Sequence, residues 1–338
     1  MPALPPVKRY VSRSGVRVYR IACQVLPDLY GRVYLLLGAG PPTLVDAGSG
    51  EGPCTRQVLD GLQSVRSEFA EPVRPQDIRR ILITHGHFDH FGGVPDLARL
   101  SGAEVAIHAL DRRMLTATEE RAALARRAIA DFLARAGAEP PRRAELLRSF
   151  PQTRPRPSVA VDFALEDGME LDGLEVLHTP GHSPGHVCLR AGEILLAGDH
   201  ILARTIPQQW PESVAAYTGL GHFLESLDKV ARLQGVEMIL GGHEPPVQGV
   251  AQRIREIRVI QERRLDRLMD LLAAAGEPLS IVEISDRIYP RQEGYHALLA
   301  ILDVGARVEH LDQRGRLAVD NLEEIQRAER PVFRYRPA

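Results

Sequence analysis

Cysteine is scarce in this chain: Cys23, Cys54 and Cys188 are the only three in 338 residues, far apart and with no C-x-x-C pair. That argues against a disulfide framework and against a thiolate metal site, and it suits a reducing, cytoplasmic compartment. Lysine is scarcer still. Lys8 and Lys229 are the only two among 42 basic residues, and the formal net charge of -2 gives no whole-chain reason to expect nucleic acid or an anionic membrane. No run approaches the ~20 apolar residues of a membrane span. The opening MPALPPVKRY has no apolar core region, so no secretory signal is expected. No internal repeat or low-complexity segment appears. No serine or cysteine sits in a recognisable nucleophile elbow.

What is present reads as one large α/β domain and a small one. VRVYRIACQVL, GRVYLLLGAG and PPTLVDAGSG are β-rich runs ending at turn residues, an antiparallel meander. Val58, Leu59, Leu62, Val65 and Phe69 repeat at helical spacing. IRRILIT is a buried strand that delivers His85 at its carboxyl end. Residues 109–158 are helical and arginine-rich, an insertion or lid, and LEVLHT, HVCLR, EILLAGDH and VEMILGGHEPP return to strand. After residue 250 the character changes. Three helices, the second opened by a Ser280–Glu283 capping box, precede RLAVD and PVFRYRP, two strands of a wing around a short helix opened by Asp320. The expected domains are therefore 1–250 and a winged-helix-like 251–338.

The chemistry concentrates in a few short stretches. THGHFDH places His85, His87, Asp89 and His90 within six positions directly after a strand. His85 and His87 can approach one metal ion from one side, while Asp89 and His90 face a second position. HTPGHSPGH adds His178, His182 and His186, AGDH adds Asp199 and His200, and GGHEPP adds His243. Imidazole and carboxylate donors suit a borderline cation. Zinc is the first expectation, with iron and manganese also admitted by this donor set.

T-H-x-H-x-D-H, H-T-P-G-H-x-P-G-H, G-D and G-H, in this order, resemble the metallo-β-lactamase superfamily over roughly residues 15–250. The resemblance implies an αββα sandwich with two divalent ions per chain. His85, His87 and His182 would hold one ion, Asp89, His90 and His243 the other, and Asp199 would bridge them. Asp46 would support ligand loops from beneath, and His178 and His186 would hydrogen-bond behind the ligands. Aspartate, not cysteine, at the bridging place is similar to glyoxalase II and argues against antibiotic hydrolysis. The implied reaction is hydrolysis by a hydroxide shared between the ions, with Asp89 orienting it.

The C-terminal module narrows the likeness to the β-lactamase-like protein 2 group, one member of which is an endoribonuclease. Residues 251–338 carry fifteen arginines and fifteen acids, without the excess of basic charge an RNA path needs. The favoured substrate is therefore a small ester or thioester, acyl-coenzyme-A-like or a lactone. Single-strand endoribonuclease activity is the alternative, and nucleic acid the less favoured partner. The five excess positive charges of residues 111–156 would suit a phosphorylated carrier. Trp210 and Tyr217 are expected to line the pocket. A homodimer is left open.

Overall fold

The computed structural model describes residues 4–150 and 157–338. They form two compact units. The first takes residues 4–118, 157–207 and 226–254; the second takes 119–150, 208–225 and 255–338. The division is thus not the single cut expected near residue 250. Of the stretch 109–158 read as an insertion, residues 119–150 group with the C-terminal segment, 109–118 and 157–158 stay with the first unit, and 151–156 lie outside the described residues.

In the first unit, seven strands make one sheet in sequence order: β1 (Lys8–Val11), β2 (Arg17–Leu26), β3 (Leu29–Leu37), β4 (Thr43–Val45), β5 (Arg80–Leu82), β6 (Glu104–His108) and β7 (Phe163–Leu165). The first four are antiparallel, the expected meander with one further strand before it, and β4 to β7 run parallel. A second sheet has the order β12-β11-β10-β9-β8, from β8 (Glu170–Leu171), β9 (Leu174–His178), β10 (Val187–Ala191), β11 (Ile194–Gly198) and β12 (Met238–Gly241).

The strand period of two decides which residues close the sandwich. On β2 and β3, Val18, Tyr34 and Leu36 join Val45, Leu82, Val176, Leu189, Leu196 and Leu240 in one apolar cluster between the sheets. Their neighbours Tyr19, Ile21 and Leu35 face the other way. They pack with Val58, Leu62 and Val65 of the helix Cys54–Glu68, whose apolar stripe was legible from its spacing. On the far side, the last turns of the helix Leu220–Ala231 are tied to the second sheet: Ser226 Oγ donates to Pro180 O at 2.8 Å and Lys229 Nζ to His178 O at 3.0 Å.

This topology gathers strand ends. β4, β5 and β6 are parallel, so Asp46, His85 and Asp111 all follow carboxyl ends at one edge. In the second sheet β11 and β12 are parallel, and β9 runs antiparallel to the intervening β10. Hence the exits of β9, β11 and β12 and the entry of β10 share an edge, which collects His182, His186, Asp199 and His243. A backbone bond fastens the two edges together, from Val187 N to Thr84 O at 2.8 Å.

The second unit has its own core. Ile129, Phe132, Leu133 and Leu146 cluster with Leu268, Ile284, Leu298, Ile301 and Leu302. Ser280 and Glu283 form the expected reciprocal cap. Strand β14 (Leu317–Val319) pairs with β15 (Arg334–Pro337), which also pairs with β13 (Leu279–Ser280). The short helix Leu322–Arg327 opens at Asn321, one residue later than expected; Asp320 is still tied to the strand beside it, its N donating to Arg334 O at 2.9 Å. Among the described residues, no helix is long and apolar enough to cross a membrane.

Candidate metal centre

β5 runs into Thr84 and His85, and a four-residue helical turn, Phe88–Phe91, then folds Asp89 and His90 back toward the same point. Three groups of donor atoms result, each lying within 4.8 Å of one another: His85, His87 and His182; His85, His90 and Asp199; and Asp89, His90 and His243. His85 Nε2 is 3.0 Å from His87 Nδ1, and His90 Nε2 is 3.2 Å from His243 Nε2. Asp199 Oδ2 lies 3.7 Å from His182 Nε2, 3.6 Å from His90 Nε2 and 3.2 Å from His243 Nε2, so it faces both histidine sets. Asp89 Oδ2 lies 3.4 Å from His243 Nε2 and 3.8 Å from His90 Nε2.

These spacings fit metal ligation. Two donors each ~2.1 Å from one ion at a tetrahedral angle are about 3.4 Å apart. Asp199 Oδ1 is buried with no hydrogen-bond partner among the described residues, as suits a carboxylate whose charge is to be met by a cation. The outer ring nitrogens set the tautomers. His90 Nδ1 donates to Asp46 Oδ2 at 2.8 Å, His243 Nδ1 to Tyr30 O at 3.0 Å, and His85 Nδ1 to Thr84 Oγ1 at 3.1 Å. Each Nε2 lone pair is left facing the cluster.

Asp46 therefore supports the loop as expected. Its Oδ1 also accepts from Thr84 N at 2.8 Å, and it holds a left-handed φ of 61° at 2% exposure. For a non-glycine residue that backbone costs energy, which the buried bonds to Thr84 and His90 offset. His186 lies behind Asp199: its Nδ1 meets Thr179 Oγ1 at 2.9 Å, and its Nε2 accepts from Asp199 N at 3.1 Å. His178 acts behind the ligands in another way, by bonding within the ligand loop and by packing. Its Nε2 donates to Pro184 O at 2.9 Å and its ring stacks on His108 at 4.0 Å, so it shapes the HTPGHSPGH loop. Trp210 and Tyr217 both lie in the second unit. Trp210 packs on that unit's core and against Phe150, and Tyr217 is 49% exposed. Two residues given no role from the sequence also belong here. Thr84 links Asp46 to His85, and Asp111, 1% exposed, follows the next parallel strand. The available signal was position: each stands at a parallel strand end.

The electrostatics favour a cation. Burial pushes the Asp199 carboxyl up, but His243 and His90 override it and hold it well below its ordinary value. Asp89 is likewise held down, to about 2: burial opposes ionisation, and His90 and His243 outweigh it. Burial opposes the charged form of His243 too, yet Asp199 pushes it up from 6.5 to about 10. A metal ion needs that ring neutral, so ion uptake below pH 10 must expel a proton. Affinity should therefore rise at least tenfold per pH unit through the neutral and mildly alkaline range, and more steeply where His90, also pushed up against burial by Asp199, must lose its proton too. Calorimetry in buffers of different ionisation heat counts the released protons. Uptake with no proton release, and with affinity flat from about pH 7 to about pH 9, would contradict this coupling.

The family model described as the metallo-beta-lactamase superfamily matches residues 26–270. Probable metallo-hydrolase YqjP of Bacillus subtilis is 25% identical over 296 residues, covering 83% of this chain and 87% of that one. Acyl-coenzyme A thioesterase MBLAC2 of Gallus gallus is 28% identical over 218 residues, covering 62% and 71%. Among solved structures, a metallo-beta-lactamase family protein from Thermus thermophilus is 28% identical with a TM-score of 0.72, covering 95% of this chain and 98% of that one. A family match across most of the chain, on a fold whose strand ends bring histidines and aspartates together, places this chain in the metallo-beta-lactamase superfamily, as a metal-dependent hydrolase.

Proposed function

We propose that the chain is a dinuclear hydrolase of a small ester or thioester, with His85, His87 and His182 holding one ion, Asp89, His90 and His243 the other, and Asp199 shared. The observation that carries it is the position of Asp199 Oδ2, within 3.7 Å of a histidine from each set. Divalent ions bound there supply Lewis acidity toward a scissile carbonyl and a deprotonated water at neutral pH. The chain's own groups do the rest. Asp89, kept ionised, orients the nucleophile by accepting its hydrogen bond beside the reacting atoms. Asp46, Thr84 and Tyr30 keep three imidazoles in the tautomer that aims Nε2 inward.

Two findings support an acyl substrate. One relative is described as an acyl-coenzyme A thioesterase. The C-terminal segment 251–338, which we read as winged-helix-like, has no excess of positive charge for a nucleic-acid backbone. The test is a panel of acyl-coenzyme A thioesters, lactones and single-stranded RNA, run on protein whose metal has been identified by elemental analysis. Thioester or lactone turnover that disappears with chelator and returns with zinc is the expected result. Metal-dependent RNA cleavage lost with Asp89→Ala, alongside an inert thioester and lactone panel, would overturn it in favour of the endoribonuclease.

A further inference from the structure

Asp111 opens the short helix Arg112–Thr116, yet its side chain makes no bond to that helix. Both carboxylate oxygens are spent on the two ligand loops. Oδ2 accepts from Gly86 N at 2.7 Å and from Ser183 Oγ at 2.8 Å, and Oδ1 accepts from Gly185 N at 2.8 Å. Gly86 lies between His85 and His87, and Ser183 follows His182. One carboxylate therefore grips the chain beside every member of the His85–His87–His182 group. It makes no such bond to the loop positions of Asp89, His90 or His243. Those are served otherwise, by Asp46 on His90 and by Tyr30 on His243.

The approach is close enough to restrict the sequence. A Cβ on Gly185 would stand 2.7 Å from Asp111 N and 2.8 Å from its Cγ; one on Gly86 would stand 3.2 Å from that Cγ and 2.7 Å from Met114 Cγ. With Asp111 1% exposed, no water can take the place of the lost acceptor without the loops parting.

We infer that Asp111 is a positioning residue for one ion only: by clamping Gly86, Ser183 and Gly185 to a single carboxylate, it sets the His85–His87–His182 site and leaves the Asp89–His90–His243 site to Asp46. The inference rests on the two-ion reading. It differs from a general structural role in being selective, and selectivity is measurable without turnover.

Cobalt(II) titration of metal-free protein, followed by visible absorbance and elemental analysis, reads the two sites separately. The wild type should take up two ions. Asp111→Asn keeps the shape but sets an amide N–H against at least one of the three donors. It should keep one ion at near wild-type affinity and bind the second about ten- to a hundredfold more weakly. Ser183→Ala removes one of the three bonds, so it should weaken the same ion by less; it also serves if Asp111→Asn does not fold. Melting of the metal-free proteins provides the control, and Asp111→Asn should sit close to the wild type. Two ions at unchanged affinity in both variants would overturn the inference. So would equal weakening of both ions, or a metal-free melting point that falls in step with the loss. A wild type that takes up only one ion, by contrast, defeats the two-ion reading itself.

Discussion

Asp199→Ala should bind fewer than one ion per chain and hydrolyse the proposed thioester or lactone substrate on the order of a thousandfold more slowly than the wild type. Asp199 faces both histidine sets. Its Oδ2 is 3.2 Å from His243 Nε2, 3.6 Å from His90 Nε2 and 3.7 Å from His182 Nε2. Without it, the remaining donors divide into three histidines on one side and two histidines with Asp89 on the other, and the countercharge between them is gone. The fold should survive. His90 and His243 are pushed up chiefly by Asp199 against burial, so with it removed they can shed their protons and stay buried as neutral rings. Asp199→Asn separates charge from shape. It preserves volume and a single carbonyl oxygen but not the negative charge, and should lose nearly as much metal. Elemental analysis beside a melting curve reads both effects. A folded Asp199→Ala protein with two tightly held ions and ordinary turnover would remove Asp199 from the centre of the proposal.

The part of the site that sequence revealed was the part written locally. THGHFDH needs only one strand end and one helical turn to converge, so its spacing already carries its geometry. HTPGHSPGH was legible as a ligand loop but not in detail. His178 and His186 occupy similar positions in the pattern, and only tertiary contacts decide that one stacks on His108 while the other holds Asp199 N. Asp111 was invisible for the same reason: its three partners are 25 to 74 positions away along the chain. The antiparallel meander was readable from its β-rich runs, whereas the sandwich followed only from the family resemblance; the structure supplies its cause, since β2 and β3 alternate between two apolar clusters. The second unit was not. The buried side of the helix Thr118–Arg135, with Ile129, Phe132 and Leu133, is completed by Leu268, Leu298 and Ile301, far later in the chain. Read in order, that helix shows only a weak apolar stripe among arginines, and its home cannot be inferred from its own residues.

Gly242→Ala should disable the centre while deleting no ligand. Gly242 follows β12 and precedes His243, and its N–H donates to Gly198 O at 2.7 Å. That bond draws the two strand exits together, so the backbone of Gly242 passes against the ligands. A Cβ there would stand 2.5 Å from Asp199 Oδ1 and 2.7 Å from His90 Cε1, well inside contact distance. Neither neighbour can yield cheaply. Asp199 is held at its backbone N by His186 and at its carboxylate by His243, 3.2 Å from Oδ2, and His90 is held by Asp46. The added methyl must therefore displace the carboxylate that faces both histidine sets or the ring that belongs to one of them. Overpacking of this kind costs about 1–3 kcal/mol of stability, so the protein should still fold. Metal affinity, which depends on donor placement to a few tenths of an ångström, should fall by about tenfold or more, and turnover with it. Gly249→Ala is the matched control, because its nearest neighbour would be Gln252 Oε1 at 3.6 Å, an ordinary contact. Chelator competition on the two variants makes the comparison. Equal metal affinity in Gly242→Ala and Gly249→Ala would mean that Asp199 and His90 can shift freely, and that the rigid donor set described for this site does not exist in solution.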